Sequence, residues 1–491
     1  MFKYLLKPDE ASNSEKSVVL AFAYATNTCM NVILQMLIAR VLDKAEVAVC
    51  MQPILVFNTI MPILQLGVAN GLLFILVRNE YKVYQLMTDG LIITVISSMV
   101  AGILILCGGD EYLAVFFHNP ELSSAMILMI PYMIICVPES VALVGFVYFN
   151  RLKFLAYYNA IKSLFVVLLM IVIALYIKTG FAIWVTKVIC SCAFGILTVF
   201  ILYSCLLERG KVRLDRKDLE SILKVSLPLG IAGMAGIVSS NLDQWIIGTM
   251  FSPQEYAVFV MGAYELPIIG IITGAISTVI VVDINRAVKE GRHKDAVDLF
   301  YRIATKTSAV LMPCMVFFFF ASEDLICCLF SDNYLDAVPI FCVYLLYIPI
   351  RCVVYGPMFI AYGKGNYIMF REIASLIING IISIYLVNII GMIGAAISTI
   401  LVVYCFNVIF NIMSISKWAR CVWSDLLPFK EYLNYILISL PGGIVSWIVV
   451  KNTLIVPGVE TLIIKFLVFS IMTILLYYYI LGLSPKKMLG R

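Results

Sequence analysis

Apolar residues in this chain come in long unbroken runs. About fourteen stretches, each near or above the ~20 residues that cross a hydrocarbon core, are separated by short polar segments. The first is Val18–Arg40 and the last Leu462–Leu483; the second (Val47–Val77) and eighth (Tyr256–Ile284) are among the longest. Hydrocarbon offers backbone N–H and C=O groups no partners, so such runs must be helices that satisfy their own hydrogen bonds. A composition 62% hydrophobic and only 13% charged lies far from that of a soluble domain. The pattern therefore predicts an all-α polytopic membrane protein with about fourteen transmembrane helices.

Charge tests the count. With the N-terminus in the cytoplasm, alternate loops hold about 23 Lys and Arg residues, including Arg209, Lys211, Arg213, Arg216 and Lys217, then Arg286, Lys289, Arg292 and Lys294. The opposite loops hold Lys44, Lys178 and Lys451. A missed span would scramble that asymmetry, so both termini are expected in the cytoplasm. Met1–Lys16 is polar, and the apolar run after it is too long for a signal peptide. The net charge of +5 sits in the cytoplasmic loops, where orientation explains it and no nucleic-acid partner is called for.

Several chemistries drop out. Most of the 14 cysteines lie within apolar runs, and the two histidines, His118 and His293, lie in loops. No metal-ligand spacing appears, so neither a metal nor any other cofactor is expected. Gly363-Lys364-Gly365 reads as a cytoplasmic turn rather than a phosphate loop. The longest outer loop, Gly108–Leu122, carries Asp110, Glu111 and Glu121 but is short for a catalytic domain. A membrane glycosyltransferase or polymerase is thereby disfavoured, and the chain is read as a non-enzyme.

The chain also repeats itself. Gln35 opens Q-M-L-I-A-R-V-L-D-K-A-E-V-A-V and Gln244 opens Q-W-I-I-G-T-M-F-S-P-Q-E-Y-A-V. At constant offset they share Gln, Ile, Glu and the final Ala-Val, each straddling the loop between the first two spans of a half. A weaker echo pairs the turns at Arg151 and Lys364. An even number of spans per repeat keeps both copies in one orientation, hence a parallel duplication. The expected organisation is an N-terminal lobe (residues 1–208), a C-terminal lobe opening with a basic linker (209–421) and two additional spans (422–491).

The stretch Asn241–Phe259 (N-L-D-Q-W-I-I-G-T-M-F-S-P-Q-E-Y-A-V-F) resembles the segment that opens the second half of bacterial polysaccharide flippases. Gly391–Thr399 (G-M-I-G-A-A-I-S-T) resembles the start of their twelfth span. With the basic linker and two extra spans, nearly the whole chain is similar to Wzx-like polysaccharide transporters of the multidrug/oligosaccharidyl-lipid/polysaccharide (MOP) exporter superfamily. That resemblance implies two pseudo-symmetric six-helix lobes of MATE-like architecture enclosing a polar cavity. It also implies a flippase in the bacterial inner membrane that turns undecaprenyl-diphosphate-linked oligosaccharide units outward for O-antigen, capsule or exopolysaccharide. Partners implied are that lipid, the bilayer, a polysaccharide polymerase and a chain-length regulator.

Charges buried in a bilayer cost several kcal/mol and mark function or pairing. Lys162 in the fifth span and Arg351 near the middle of the tenth are candidate contacts for an anionic head group, Arg as a bidentate fork and Lys as a point charge. Glu139, in the fourth span, is repeat-related to Arg351, so an ion pair between them is the alternative to substrate contact. Lys187 either meets substrate or snorkels outward. Asn27 and Asn31 are one helical turn apart, placed to bind sugar hydroxyls or to join helices. Glu265, just before a helix-breaking Pro267, is the stronger candidate for coupling or gating, and Asp243 is the weaker, with contact to lipid head groups as its simpler reading. Multidrug exporters of the superfamily use a carboxylate in the first span, and its lipid II flippases carry arginines across the first two. Here the first span has no carboxylate, Arg40 lies at its outer end and the second span has no arginine until Arg78, so both readings lose weight.

Overall fold

The structure, a computed structural model, describes residues 13–78, 82–206, 216–451 and 457–481. Helices fill them. Eleven are long and apolar enough to cross a membrane, or up to 14 when each of three bent pairs is one span. The expected count is the upper figure; most of the basic linker (residues 207–215) lies outside the described residues.

The chain divides into two compact units, Met1–Ala257 and Val258–Arg491. The first begins with α1 (Asn13–Val41), α2 (Lys44–Gln65), α3 (Val68–Arg78) and α4 (Val83–Leu104). After a π-helical turn, the short α5 (Asp110–Phe116) leads to α6 (Glu121–Tyr148), α7 (Leu152–Tyr176), α8 (Gly180–Ile201) and α9 (Arg216–Met250). The long second run is thus two helices, α2 and α3, broken at Leu66 and Gly67, both with positive φ (49° and 69°). A Cβ on Gly67 would fall 2.6 Å from Gly230 N, and one on Gly230 would fall 2.7 Å from Gly67 N. Only glycines let α9 run this close to the corner. That approach, with packing along α2 and α3, places α9 in the first compact unit, although the duplication puts the start of the second repeat before it.

The boundary falls within α10 (Pro253–Gly262), and the second unit goes on with α11 (Pro267–Lys289), α12 (His293–Phe320) and α13 (Ser322–Phe330). It continues through α14 (Val338–Leu345), α15 (Ile348–Arg351), α16 (Gly356–Ala361) and α17 (Gly365–Ile390). It closes with α18 (Ile393–Val402), α19 (Ile409–Ala419), α20 (Phe429–Lys451) and α21 (Val459–Leu481). The long eighth run is again not one helix: its two halves meet at 47°.

The duplication is written into helix ends. α1 stops at Val41 and α2 starts at Lys44; at the same offset as the sequence repeat, α9 stops at Met250 and α10 starts at Pro253. The turns at Arg151 and Lys364 also match hydrogen bond for hydrogen bond. Arg151 N donates to Phe146 O and Lys364 N to Phe359 O, both at 2.8 Å. Asn150 (φ 56°) and Gly363 (φ 66°) supply the left-handed residue that such helix ends require.

Candidate polar sites within the membrane helices

In the first unit, α6 carries Glu139 directly after Pro138, and the residue is only 4% exposed. Lys162 of α7 donates to Glu139 Oε1 at 2.6 Å, and Thr198 Oγ1 of α8 lies 3.1 Å from the same oxygen. Thr198 is in turn 2.9 Å from the Tyr158 hydroxyl, which donates to Phe194 O at 2.8 Å. Gly195 makes room: a Cβ there would fall 2.8 Å from Ile135 Cγ2 and 3.4 Å from Glu139 Oε2. The residue after Lys162 extends the chain of contacts to the first span. Ser163 donates to Asn27 Oδ1 at 2.7 Å, and Asn31 donates to the same oxygen at 3.0 Å. Four of the sequence candidates, Asn27, Asn31, Glu139 and Lys162, thus form one polar track over α1, α7 and α6.

The second unit places Glu265 in the break between α10 and α11, and Arg351 shortly after the break between α14 and α15. Those bends measure 47° and 43°. Pro267 sits in the first turn of α11 and Pro349 in the first turn of α15, where a missing N–H costs nothing. Arg351 Nη2 lies 2.9 Å from Glu265 Oε1, and its guanidinium stands 4.8 Å from the centre of the Tyr347 ring. The two side chains are 41% and 53% exposed, so this pair is open where Glu139–Lys162 is closed.

Glu139 and Arg351, whose mutual ion pair was the alternative to substrate contact, are each paired elsewhere. Each has a partner inside its own unit, because Lys162 is one helix away from Glu139 and Glu265 faces Arg351 across two helix breaks. Lys187 joins neither network and is half-buried on α8. Asp243 is 7% exposed on α9, which corrects its reading as a head-group contact. Nearby, Trp245 Nε1 donates to Thr59 Oγ1 at 2.9 Å and the Phe117 ring lies 5.1 Å away, so that end of α9 is packed against protein.

Two features escaped the sequence reading. Asp89 is fully buried on α4, with Gln85 Nε2 at 2.9 Å from Oδ1. Lys465 of α21 and Asp324 of α13 form an ion pair, 6% and 2% exposed, with Lys465 also donating to Phe320 O at 3.1 Å. A lone Lys one and a half turns into the last span was the available signal. Arg371 and Glu372 form a further pair on α17. Beside Lys465, α12 and α21 enclose an apolar cleft of about 620 Å³, lined by Pro313, Phe317, Phe466, Phe469 and Tyr477. No group of three or more metal-binding side chains occurs among the described residues.

The sequence model of one family, described as polysaccharide biosynthesis protein, matches residues 37–339, more than half of the chain. The chain belongs to this polysaccharide biosynthesis family. Its fold is that of MOP-superfamily transporters. A lipid II flippase, MurJ, in an inward closed conformation superposes with a TM-score of 0.69 over 94% of this chain and 100% of its own, at 13% identity. An inward-facing MATE-family multidrug transporter gives 0.58 over 82% of this chain and 95% of its own, at 18% identity. A MOP transporter from Pyrococcus furiosus gives 0.57 over 87% and 98%, at 14% identity. Among curated proteins no sequence match was found. The family member described here is thus a multi-pass membrane protein with a transporter fold.

Proposed function

We propose that the chain is a flippase for a polyprenyl-diphosphate-linked oligosaccharide, carrying the unit across the bacterial inner membrane by alternating access for surface polysaccharide assembly. The observation that supports this most is that a member of a polysaccharide biosynthesis family has described residues made almost wholly of membrane-crossing helices in a transporter fold. Such a chain suits moving a pathway intermediate better than making a glycosidic bond. A diphosphate head with its sugars cannot cross hydrocarbon bare, since each unpaired polar group would be stripped of water.

In this reading Lys162 and Arg351 attract the diphosphate, Asn27 and Asn31 take sugar hydroxyls, and Glu139 and Glu265 hold the cations when no anion is bound. Lys187 adds a third positive charge, and Asp243 stiffens the end of α9. Glu265, at a 47° break and half exposed, is the group best placed to exchange partners as the helices move. Polymerase and chain-length regulator would receive the product.

Deletion of the gene tests the reading. Loss of surface polysaccharide together with accumulation of the lipid-linked unit on the cytoplasmic side is expected; unchanged polysaccharide would overturn it. A second reading, lipid II transport, draws on the 94% coverage by the MurJ fold. Rescue of a strain depleted of its lipid II flippase would favour that cargo instead.

A further inference from the structure

Thr198 has one hydroxyl hydrogen and three acceptors within reach of it. Its Oγ1 lies 3.1 Å from Glu139 Oε1, 2.9 Å from the Tyr158 hydroxyl and 2.8 Å from Phe194 O. Tyr158 does not compete for that hydrogen, since its own hydroxyl donates to Phe194 O at 2.8 Å. The surplus lets this cluster serve either form of Glu139. Facing an ionised carboxylate, Thr198 donates to it. Facing a protonated one, Thr198 Oγ1 accepts from Glu139 and turns its hydrogen to Phe194 O or Tyr158. Both side chains stay hydrogen-bonded in either state with no heavy atom moved.

Lys162 is what keeps the carboxylate ionised. It donates to Glu139 Oε1 at 2.6 Å, and among the described residues no second cation pairs with that group. The other titratable neighbours are Tyr158 of α7, and Cys136 and Tyr132 one and two turns earlier on α6. Cys192 of α8 joins them, one turn from the Gly195 that lets α8 close on Glu139. Tyrosine and cysteine are ordinarily uncharged near neutral pH. Helices packed against α6 also carry Asp89, Lys187 and Glu46, and none of these forms an ion pair or hydrogen bond with Glu139: Asp89 is held by Gln85, and Glu46 by Gly180 N. The Glu139 side chain is 6% exposed, so no water replaces the ammonium when an anion draws it away. An anion that shares the ammonium instead sets two negative charges against one positive charge. Glu265, at 53% exposed, keeps its water when Arg351 leaves and has no such need.

We propose that Glu139 is a proton-binding site, taking up one proton when a diphosphate engages Lys162 and releasing it when the ion pair re-forms. The proposal rests on the flippase reading and names the proton as the ion whose binding is linked to that of the cargo. A proton from water joins Oε1, Glu139 becomes a neutral carboxylic acid that donates to Thr198, and the positive charge of Lys162 is left whole for the anion. Proton and diphosphate therefore bind together, each favouring the other by the same factor.

The test uses full-length protein in nanodiscs and two probes, inorganic pyrophosphate in solution and undecaprenyl diphosphate in the disc. Calorimetry with pyrophosphate in two buffers of different ionisation enthalpy counts the protons taken up. Wild type should take up about one proton more per ligand than Glu139→Gln, a comparison in which the ligand's own protonation cancels. As pH rises, its affinity should fall about tenfold more per pH unit than that of the variant. Glu139→Gln mimics the protonated acid and should bind more tightly than wild type. Infrared difference spectra, recorded with each probe, should show a new carboxylic-acid C=O band in wild type that Glu139→Gln lacks. Thr198→Val removes the acceptor for the proton and leaves the ion pair; it should weaken the band and the uptake, and it decides the matter if Glu139→Gln does not fold. The band with both probes assigns a site open to any diphosphate; the band with the lipid alone assigns the lipid head group. Equal proton uptake and spectra in wild type and Glu139→Gln, or failure of both probes to bind, overturns the proposal. If that happens while the deletion strain still accumulates lipid-linked oligosaccharide, the flippase reading survives without a linked proton. Glu139-dependent proton uptake in a protein whose deletion leaves polysaccharide unchanged sinks the reading and keeps the site.

Discussion

Lys162 Nζ and Glu139 Oε1 are 2.6 Å apart between α7 and α6, with the carboxylate side chain 6% exposed and the ammonium 22%. The lysine is the more open partner, so it can be approached from outside the helix bundle while the glutamate cannot. Removing either one leaves the other charged in a low-dielectric setting, and the two losses are unequal.

Lys162→Ala should therefore lower protein abundance, with a stability loss of about 3–5 kcal/mol from the orphaned carboxylate. Glu139→Gln in the same chain should restore most of it. If Lys162 also contacts cargo, the restored double mutant stays defective in export. Membrane protein level and surface polysaccharide, measured together, separate the two effects; full export by a stable double mutant would remove Lys162 from the binding site.

Arg351→Lys should behave differently. The Arg351–Glu265 pair is about half exposed, so its loss changes stability by roughly 0–1 kcal/mol. Export should fall nonetheless, because the fork and the stacking on Tyr347 are lost while the charge remains. Wild-type export by this variant would show that charge alone suffices.

Asp324→Asn should cost about 3–5 kcal/mol, since Lys465 is 6% exposed and has no water to turn to. Replacing both with apolar residues of similar size, Asp324→Leu with Lys465→Met, should recover much of that loss. The unfolding midpoint in nanodiscs reads this out. An undisturbed midpoint for Asp324→Asn alone would mean that the pair does not anchor α21.

Orientation is open to cysteine labelling in a chain stripped of native cysteines. Glu121→Cys and Gln254→Cys, both exposed, should label from outside intact cells. Lys294→Cys and Lys364→Cys, also exposed, should label only after permeabilisation. Asn119 is unsuitable as a probe despite its loop position, because it is 5% exposed and donates to Gln52 Oε1 at 2.7 Å. Labelling of Lys294→Cys in intact cells would invert the topology drawn from loop charge.

The sequence by itself determined the class, the number of spans and the repeat, because a bilayer leaves apolar runs only one backbone solution. It also placed Glu265 at a helix break, since Pro267 cannot donate the hydrogen bond that a continuous helix needs. Depth along a run was enough to single out Glu139, Lys162 and Arg351 as charges in need of company. Only the tertiary structure decided who keeps them company. Glu139 meets Lys162 rather than Arg351, and Arg351 meets Glu265, because helix rotation and the breaks at residues 263–266 and 346–347 set side-chain direction, which hydrophobic periodicity does not encode when a helix is apolar all round. Asp243 turned inward for the same reason. Arg371 of α17 likewise finds Asn411 of α19 and its own neighbour Glu372 only through helix packing. Lys465 went unnoticed as a single charge in the last span, and its burial became visible only through Asp324, 141 residues earlier in the chain.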